Sequence, residues 1–419
     1  MLDVTKFGVI ADPAIDNTQA IRKCLLKYKN LYFPPGIYKI TGVLPIADNQ
    51  TISGAGPQTI FQPHYIAPNP FEGVFVAKCM YDNLPIGSQT QGFKNITLQN
   101  FTVDIFTHHA NPKLPGNLPN YAYSNGCFWF YPPAQSSPAN FTSLITNPAR
   151  RNQSLILSNI RVIGGPYFYS TDYTDRFGRG ANGNWNLNMC AIDGVQIRNC
   201  YFQGSGRDTI NAKLCNDITI ENCIIKDSED DAIVIGGGVE FNIFYNPFAS
   251  IGSNTALYLA DSTSTTLQAS NAIIRNNSIS QCSANGIKLF RQHNAVITCN
   301  IFEDINCSAI IFQDGDTDNI IIQSNICTNI GNYANSVLNL PTTTRYPFIR
   351  LIDATAHHKR LNMSNNVIST ASRLIENSAQ CALQSVVIAN NILYGKTENN
   401  PIVLGGNITT QCLSIGNLS

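Results

Sequence analysis

Apolar and polar residues alternate along most of the chain in short bursts, and the bursts recur. "VQIRNCYFQGSGRDTINAK" (195–213) and "ITIENCIIKDSEDDAIVIG" (218–236) superpose without a gap at an offset of 23 residues. Asn199 falls on Asn222, Cys200 on Cys223, Phe202 on Ile225 and Ile210 on Ile233. The pattern continues through 273–290, 296–313 and 320–330, returns at 361–368, 386–393 and 413–419, and fits 96–103 and 155–165 upstream. Each unit is a set of short apolar-alternating runs separated by Asn, Gly, Ser and Asp, which is strand-and-turn chemistry without room for a helix. So short a unit cannot bury its own apolar face. Copies stacked at the strand spacing of about 4.8 Å bury a continuous core and pair every backbone group with the next copy. The period therefore predicts an all-β parallel solenoid in which like residues stack on like. One column would hold Cys200, Cys223, Asn277, Asn300, Asn325, Asn366 and Asn391: an amide ladder with thiols beside it.

A solenoid end exposes unpaired strand edges and needs a cap. "DNTQAIRKCLLKYKN" (16–30) is the one good helix signal. It predicts a helix over 17–29, with Asp16 as N-cap, Gln19 in the capping-box position, and Ile21, Leu25 and Tyr28 on one stripe. "LYFPPGIYKI" follows as two strands around a Pro-Gly turn. Residues 31–419 then read as the coils of a single domain, with loop insertions near 104–150, 165–187 and 237–270.

Composition removes several classes of partner. Twenty-seven basic and twenty-seven acidic residues cancel, and only 13% of the chain is charged. No basic surplus calls for nucleic acid or an acidic membrane. No run of about 18 apolar residues suggests a transmembrane span. The opening "MLDVTKFGVIADPAIDN" lacks the basic start and apolar core of a signal peptide. Thirteen scattered cysteines without CxxC pairs read either as a disulfide framework or as small buried hydrophobes. The stacked columns favour free thiols.

"DVTKFGVIADPAIDNTQAIRKCL", "LYFPPGIYKITG" and "TISGAG", within about the first 60 residues, resemble the N-terminal signature of the pectate-lyase-like superfamily of right-handed parallel β-helices. Polygalacturonases and many phage tailspike depolymerases share it. The resemblance implies a single-stranded right-handed parallel β-helix, cleavage of an extracellular or capsular polysaccharide, and an extracellular or virion-associated setting. Its tailspike members imply a homotrimer. Polygalacturonases place Asn-Thr-Asp, Asp-Asp, Gly-His-Gly and Arg-Ile-Lys on successive coils. Here "GRDTI" supplies Asp208 without the Asn-Thr, "SEDDAIVIG" supplies Asp230 and Asp231, and "SANGIKLF" has Asn285 and Gly286 but no histidine. No Arg-Ile-Lys occurs, though Lys288 and Arg291 lie near its place.

The repeat register puts Asp208, Asp231, Asn285 and Ser308 in one column, with carboxylates on adjacent coils about 5 Å apart. Retaining glycosidases need roughly 5 to 5.5 Å between two carboxyls and inverting ones about 6.5 to 9.5 Å. Crowded carboxylates retain a proton, and one can then serve as general acid. The competing reading is that aspartates at solenoid turns merely bind backbone amides. The expected catalytic residues are Asp208, Asp230 and Asp231. Lys288, Arg291 and His293 would grip the substrate beside Glu229, or, in a lyase, neutralise a carboxylate as a proton leaves. Tyr169, Tyr173 and Trp185 in one insertion and Tyr245 in the next would wall a glycan cleft, since sugar C–H faces pack on aromatic rings. These loops could equally pack on a neighbouring subunit. The pairs His108–His109 and His357–His358 fall at expected loops without metal-ligand spacing, so no metal and no cofactor is expected. A glycoside hydrolase, a polysaccharide lyase and a non-catalytic glycan-binding spike are the three readings, the hydrolase leading.

Overall fold

The computed structural model describes residues 1–64, 73–82, 89–105, 127–133, 135, 138–164, 185–205, 208–228, 230–237, 244–245, 256–257, 267–313, 315–331, 346–353, 355–369, 371–377, 381–394, 402–404 and 413–415. Strands Asn216–Glu221, Ile224–Ser228 and Ile233–Gly236 make one coil. Each lies parallel to its counterpart a coil below, with Ile218 beside Val195, Ile225 beside Phe202 and Ile233 beside Ile210. The gap-free superposition of the two sequence stretches is therefore their spatial register. Among the described residues, the first two strands of successive coils join a 22-stranded sheet and the third strands an 11-stranded sheet.

Side chains alternate in and out. Along the 11-stranded sheet, Phe128, Leu187, Ile210, Ile233, Ile287, Ile310 and Ile349 face inward in one column, all fully buried. Each such side chain contributes roughly 1.5 to 3 kcal/mol through the apolar area it removes from water.

The corner between the first two strands explains the sequence column. Asn222, Asn276, Cys299, Ser324, Asn365 and Asn390 take left-handed φ of 54 to 57° there, which bends the chain sharply. That conformation is unfavourable for residues with a Cβ. The next residue in each coil offsets the cost. The backbone N–H of Asn277 donates to Asn300 Oδ1, that of Asn300 to Asn325 Oδ1 and that of Asn325 to Asn366 Oδ1, all at 3.0 Å. Each amide nitrogen also donates to a carbonyl, as Asn300 Nδ2 does to Ile274 at 3.0 Å. Cys200 and Cys223 continue the column as buried thiols, each donating to a carbonyl at 3.3 Å. The twelve cysteines among the described residues are free; Cys412 lies outside them.

The cap helix α1 spans Thr18–Lys27, with Ile21, Cys24 and Leu25 buried and Tyr28 packed against the core. Its N-cap is Asn17, which makes no side-chain capping bond. Asp16, expected in that role, sits a residue earlier. Its Oδ1 accepts from Thr18 N–H at 3.0 Å and its Oδ2 from the Thr41 hydroxyl at 2.6 Å. The carboxylate thus ties the helix to the first coil instead of closing a capping box. Helices Lys78–Tyr81 and Pro138–Thr146 were not expected; so few turns leave no readable period. His357 and His358 do not lie in a loop. They open the strand His357–Ser364, and His358 is buried with Nδ1 2.9 Å from Thr317 Oγ1. Burial pushes its imidazole down to about 4.

Candidate active site

A turn precedes the third strand of each coil, and the acids sit on it. Asp208 stands two residues before Ile210, Asp231 before Ile233, Asn285 before Ile287 and Ser308 before Ile310. Those isoleucines pair in register, so the four residues form a column. Trp185, two residues before Leu187, lies directly below Asp208. Backbone bonds hold the turns at strand spacing: Thr209 N–H to Asp231 O at 3.1 Å, and Ala232 N–H to Asn285 O at 3.0 Å. One oxygen of each of Asp208, Asp230 and Asp231 lies within 4.8 Å of the others. The register brings these three together as expected.

Their surroundings differ. Asp231, 1% exposed, accepts at Oδ1 from the Asn285 backbone N–H at 2.9 Å and from Asn285 Nδ2 at 2.8 Å. Its Oδ2 accepts no hydrogen bond and faces Lys288 Nζ at 3.5 Å. Asp208, 4% exposed, accepts at Oδ2 from the Trp185 indole N–H at 3.0 Å. Asp230 is half-buried and is the most accessible of the three.

The floor beside the acids depends on a glycine. Lys213, Gly236 and Phe290 occupy one register position on three successive coils. A Cβ on Gly236, at φ 142°, would meet Phe290 O at 1.8 Å. With no side chain between them, Lys213 Nζ reaches to 3.5 Å from the centre of the Phe290 ring, and Lys288 Nζ comes to 4.9 Å. Two ammonium groups thus share one aromatic ring next to three carboxylates, a favourable placement over its π face. Gly236, a few residues after the acidic turn, is therefore part of the site's architecture.

Other expected residues fall elsewhere. Trp185 is buried, edge-on to Trp129 at 5.6 Å, and spends its N–H on Asp208; it supports an acid instead of offering its ring to a sugar. Arg291 and His293 are not brought to the cluster. They lie beyond the far end of strand Ile287–Phe290, about 20 Å of extended chain from Asn285. His293 stands opposite Asp318 in the 22-stranded sheet. Glu229, Tyr169 and Tyr173 lie outside the described residues. Of Tyr245 only the backbone is described, in an antiparallel pairing of Phe244–Tyr245 with Ala256–Leu257.

Sequence reading missed Lys213, Phe290 and a neighbouring group of Cys307, Tyr346 and Arg350. Burial, with Asp231 nearby, pushes the Cys307 thiol up to about 12. Arg350 packs over the Tyr346 ring at 5.2 Å. The residues that could hold a metal are the three carboxylates, whose oxygens suit a hard divalent cation. Lys288 already places positive charge against one of them.

Residues 185–345 match the family model described as right handed beta helix region. No curated protein matches the sequence. Among solved structures, an exopolygalacturonase from Thermotoga maritima is similar at TM-score 0.59 and 14% identity, over 99% of this chain and 91% of that one. The A-module of the mannuronan C-5 epimerase AlgE6 of Azotobacter vinelandii is similar at 0.54 and 14%, over 100% and 99%. The Streptococcus pneumoniae surface adhesin PfbA is similar at 0.51 and 13%, over the whole of both chains. Enzymes and an adhesin share the architecture, so it carries no single activity. The register, the parallel sheets and these likenesses agree on one point: the chain folds as a right-handed parallel β-helix.

Proposed function

We propose that this protein hydrolyses a polysaccharide, with Asp208, Asp230 and Asp231 as its acid–base machinery. The observation that carries the reading is the contrast among three carboxylates within 4.8 Å. Asp231, fixed by Asn285 and Lys288, acts as base or nucleophile. The proton that crowding retains belongs to the pair Asp208 and Asp230. Asp230, the more accessible of the two, presents it to the glycosidic oxygen, while Trp185 positions Asp208. Lys288 holds the substrate only through the face of its ammonium turned away from Asp231. The substrate is an extracellular or capsular glycan, met outside a cell or on a virion, and a homotrimer is the assembly proposed.

The lyase alternative needs an unprotonated base. Lys288 is a poor candidate, because its Nζ is already engaged by Asp231 Oδ2 at 3.5 Å and by the Phe290 ring at 4.9 Å. A screen against purified capsular and plant polysaccharides, reading reducing ends and ultraviolet absorbance side by side, tests the proposal. New reducing ends without an unsaturated product are expected. An absorbing product would make it a lyase, and binding without cleavage would make it a glycan-binding spike.

A further inference from the structure

The outward column next to the acids runs Asn188, Asn211, Val234, Lys288, Ile311, Arg350 through paired strands. Arg350 therefore lies two coils past Lys288, roughly 10 Å along the axis. Five of the ten arginines among the described residues form ion pairs: Arg151 with Asp193, Arg198 and Arg275 with Glu221, Arg360 with Asp318, Arg373 with Glu376. Arg350 forms no ion pair among the described residues. Its half-buried guanidinium lies over the Tyr346 ring, and its Nε is buried without a hydrogen-bond acceptor. A partly desolvated guanidinium with an unmet donor is costly to keep unless something supplies an acceptor. The arrangement is also continuous with the acids. Cys307 lies within electrostatic reach of Asp230, Asp231 and Arg350, and hydrogen-bonds with Tyr346.

We propose that Arg350, seated on Tyr346, is an anion-binding subsite that grips an acidic substituent on a sugar away from the bond at Asp208, Asp230 and Asp231. The planar fork of the guanidinium suits carboxylate or sulfate bidentately, and Tyr346 fixes the plane of the fork. This inference rests on the reading of the face as a glycan site, but not on catalysis there.

The test uses affinity electrophoresis of the whole protein through gels containing polygalacturonate, hyaluronan or chondroitin sulfate. Each runs beside its carboxyl-reduced form, and the last also beside its desulfated form. The wild type should bind at least one acidic polymer about tenfold or more tightly than the matching neutralised one; which treatment abolishes binding identifies carboxylate or sulfate. Arg350→Gln should erase that preference while leaving weak binding of the neutralised polymer unchanged, and Arg350→Lys should keep part of it. Melting curves of both variants establish that they fold. An undiminished preference in Arg350→Gln, or no preference in the wild type, overturns the subsite. The two proposals fail separately. Arg350-dependent binding without cleavage of any polymer removes the hydrolase and keeps the subsite. Cleavage of an acidic polymer with the same KM and kcat by wild type and Arg350→Gln does the reverse.

Discussion

Two polar columns run up this solenoid, and they are built by the same register to opposite ends. At the corner between the first two strands, five buried asparagines from Asn277 to Asn391 repeat one bond from coil to coil. At the turn before the third strand, the column changes with every coil: Trp185, Asp208, Asp231, Asn285, Ser308. Its bonds also run the other way. In the ladder each backbone N–H donates to the side chain of the following coil. In the acidic column the N–H of Asn285 donates back to Asp231, and that of Ser308 back to Asn285 at 3.1 Å. Repetition satisfies every donor and acceptor and yields rigidity. Departure from repetition leaves carboxylates crowded and Asp231 Oδ2 without a donor, a condition a purely structural column would avoid. Where a solenoid stops copying itself at a position it otherwise copies, chemistry is the better explanation.

The contrast can be broken from either side. Asp231→Asn should reduce turnover by about a thousandfold, within the range expected of an acid–base group, and leave the melting temperature within a few degrees of the wild type; steady-state rates and calorimetry read both. Asn300→Ala should do the opposite. It strands the Ile274 carbonyl and the Asn277 N–H in the interior, at about 1 to 3 kcal/mol each, and should lower the melting temperature without changing turnover below it.

A buried histidine away from both columns sharpens the picture through pH. His358 is held at about 4 in the fold against 6.5 when exposed. Above pH 6.5 both states are neutral and it contributes no pH dependence. As pH falls from 6.5 to 4, the unfolded chain takes up a proton that the native one does not, so stability is lost progressively, by up to about 3 kcal/mol. Denaturant midpoints of His358→Gln should fall less over that window than those of the wild type. Trp185→Phe keeps an aromatic ring of smaller size and removes the N–H to Asp208. It should lower kcat about tenfold with KM unchanged, whereas a role in holding sugar would raise KM. The smallest effect concerns thiols: in the native protein the exposed Cys299 should react first, ahead of the half-buried Cys79 and Cys307, and denaturation should release the remainder without reductant.

What could be read in the sequence follows from where its period is intact. Residues 195–236 superpose without a gap, so the Asp208–Asp231 stack and the asparagine column were both legible. Arg350 was not, because 39 residues separate it from Ile311 where 23 separate Asp208 from Asp231, and an interrupted period gives no register. The misplacement of Arg291 and His293 has a different origin. Chain proximity to Lys288 suggested shared space, but a strand carries its two ends to different corners of the coil. Trp185 was read from its composition-rich insertion, although its place two residues before Leu187 already put it in the acidic column.

In the proposed mechanism, coil register makes distant aspartates one catalytic unit. The most direct measurement is a double-mutant cycle on turnover with Asp208→Asn, Asp231→Asn and the pair. Residues acting together should be strongly non-additive, so the double variant should be little slower than the poorer single one. Losses that simply multiply would mean the two acids act independently, and the proposed unit would not exist.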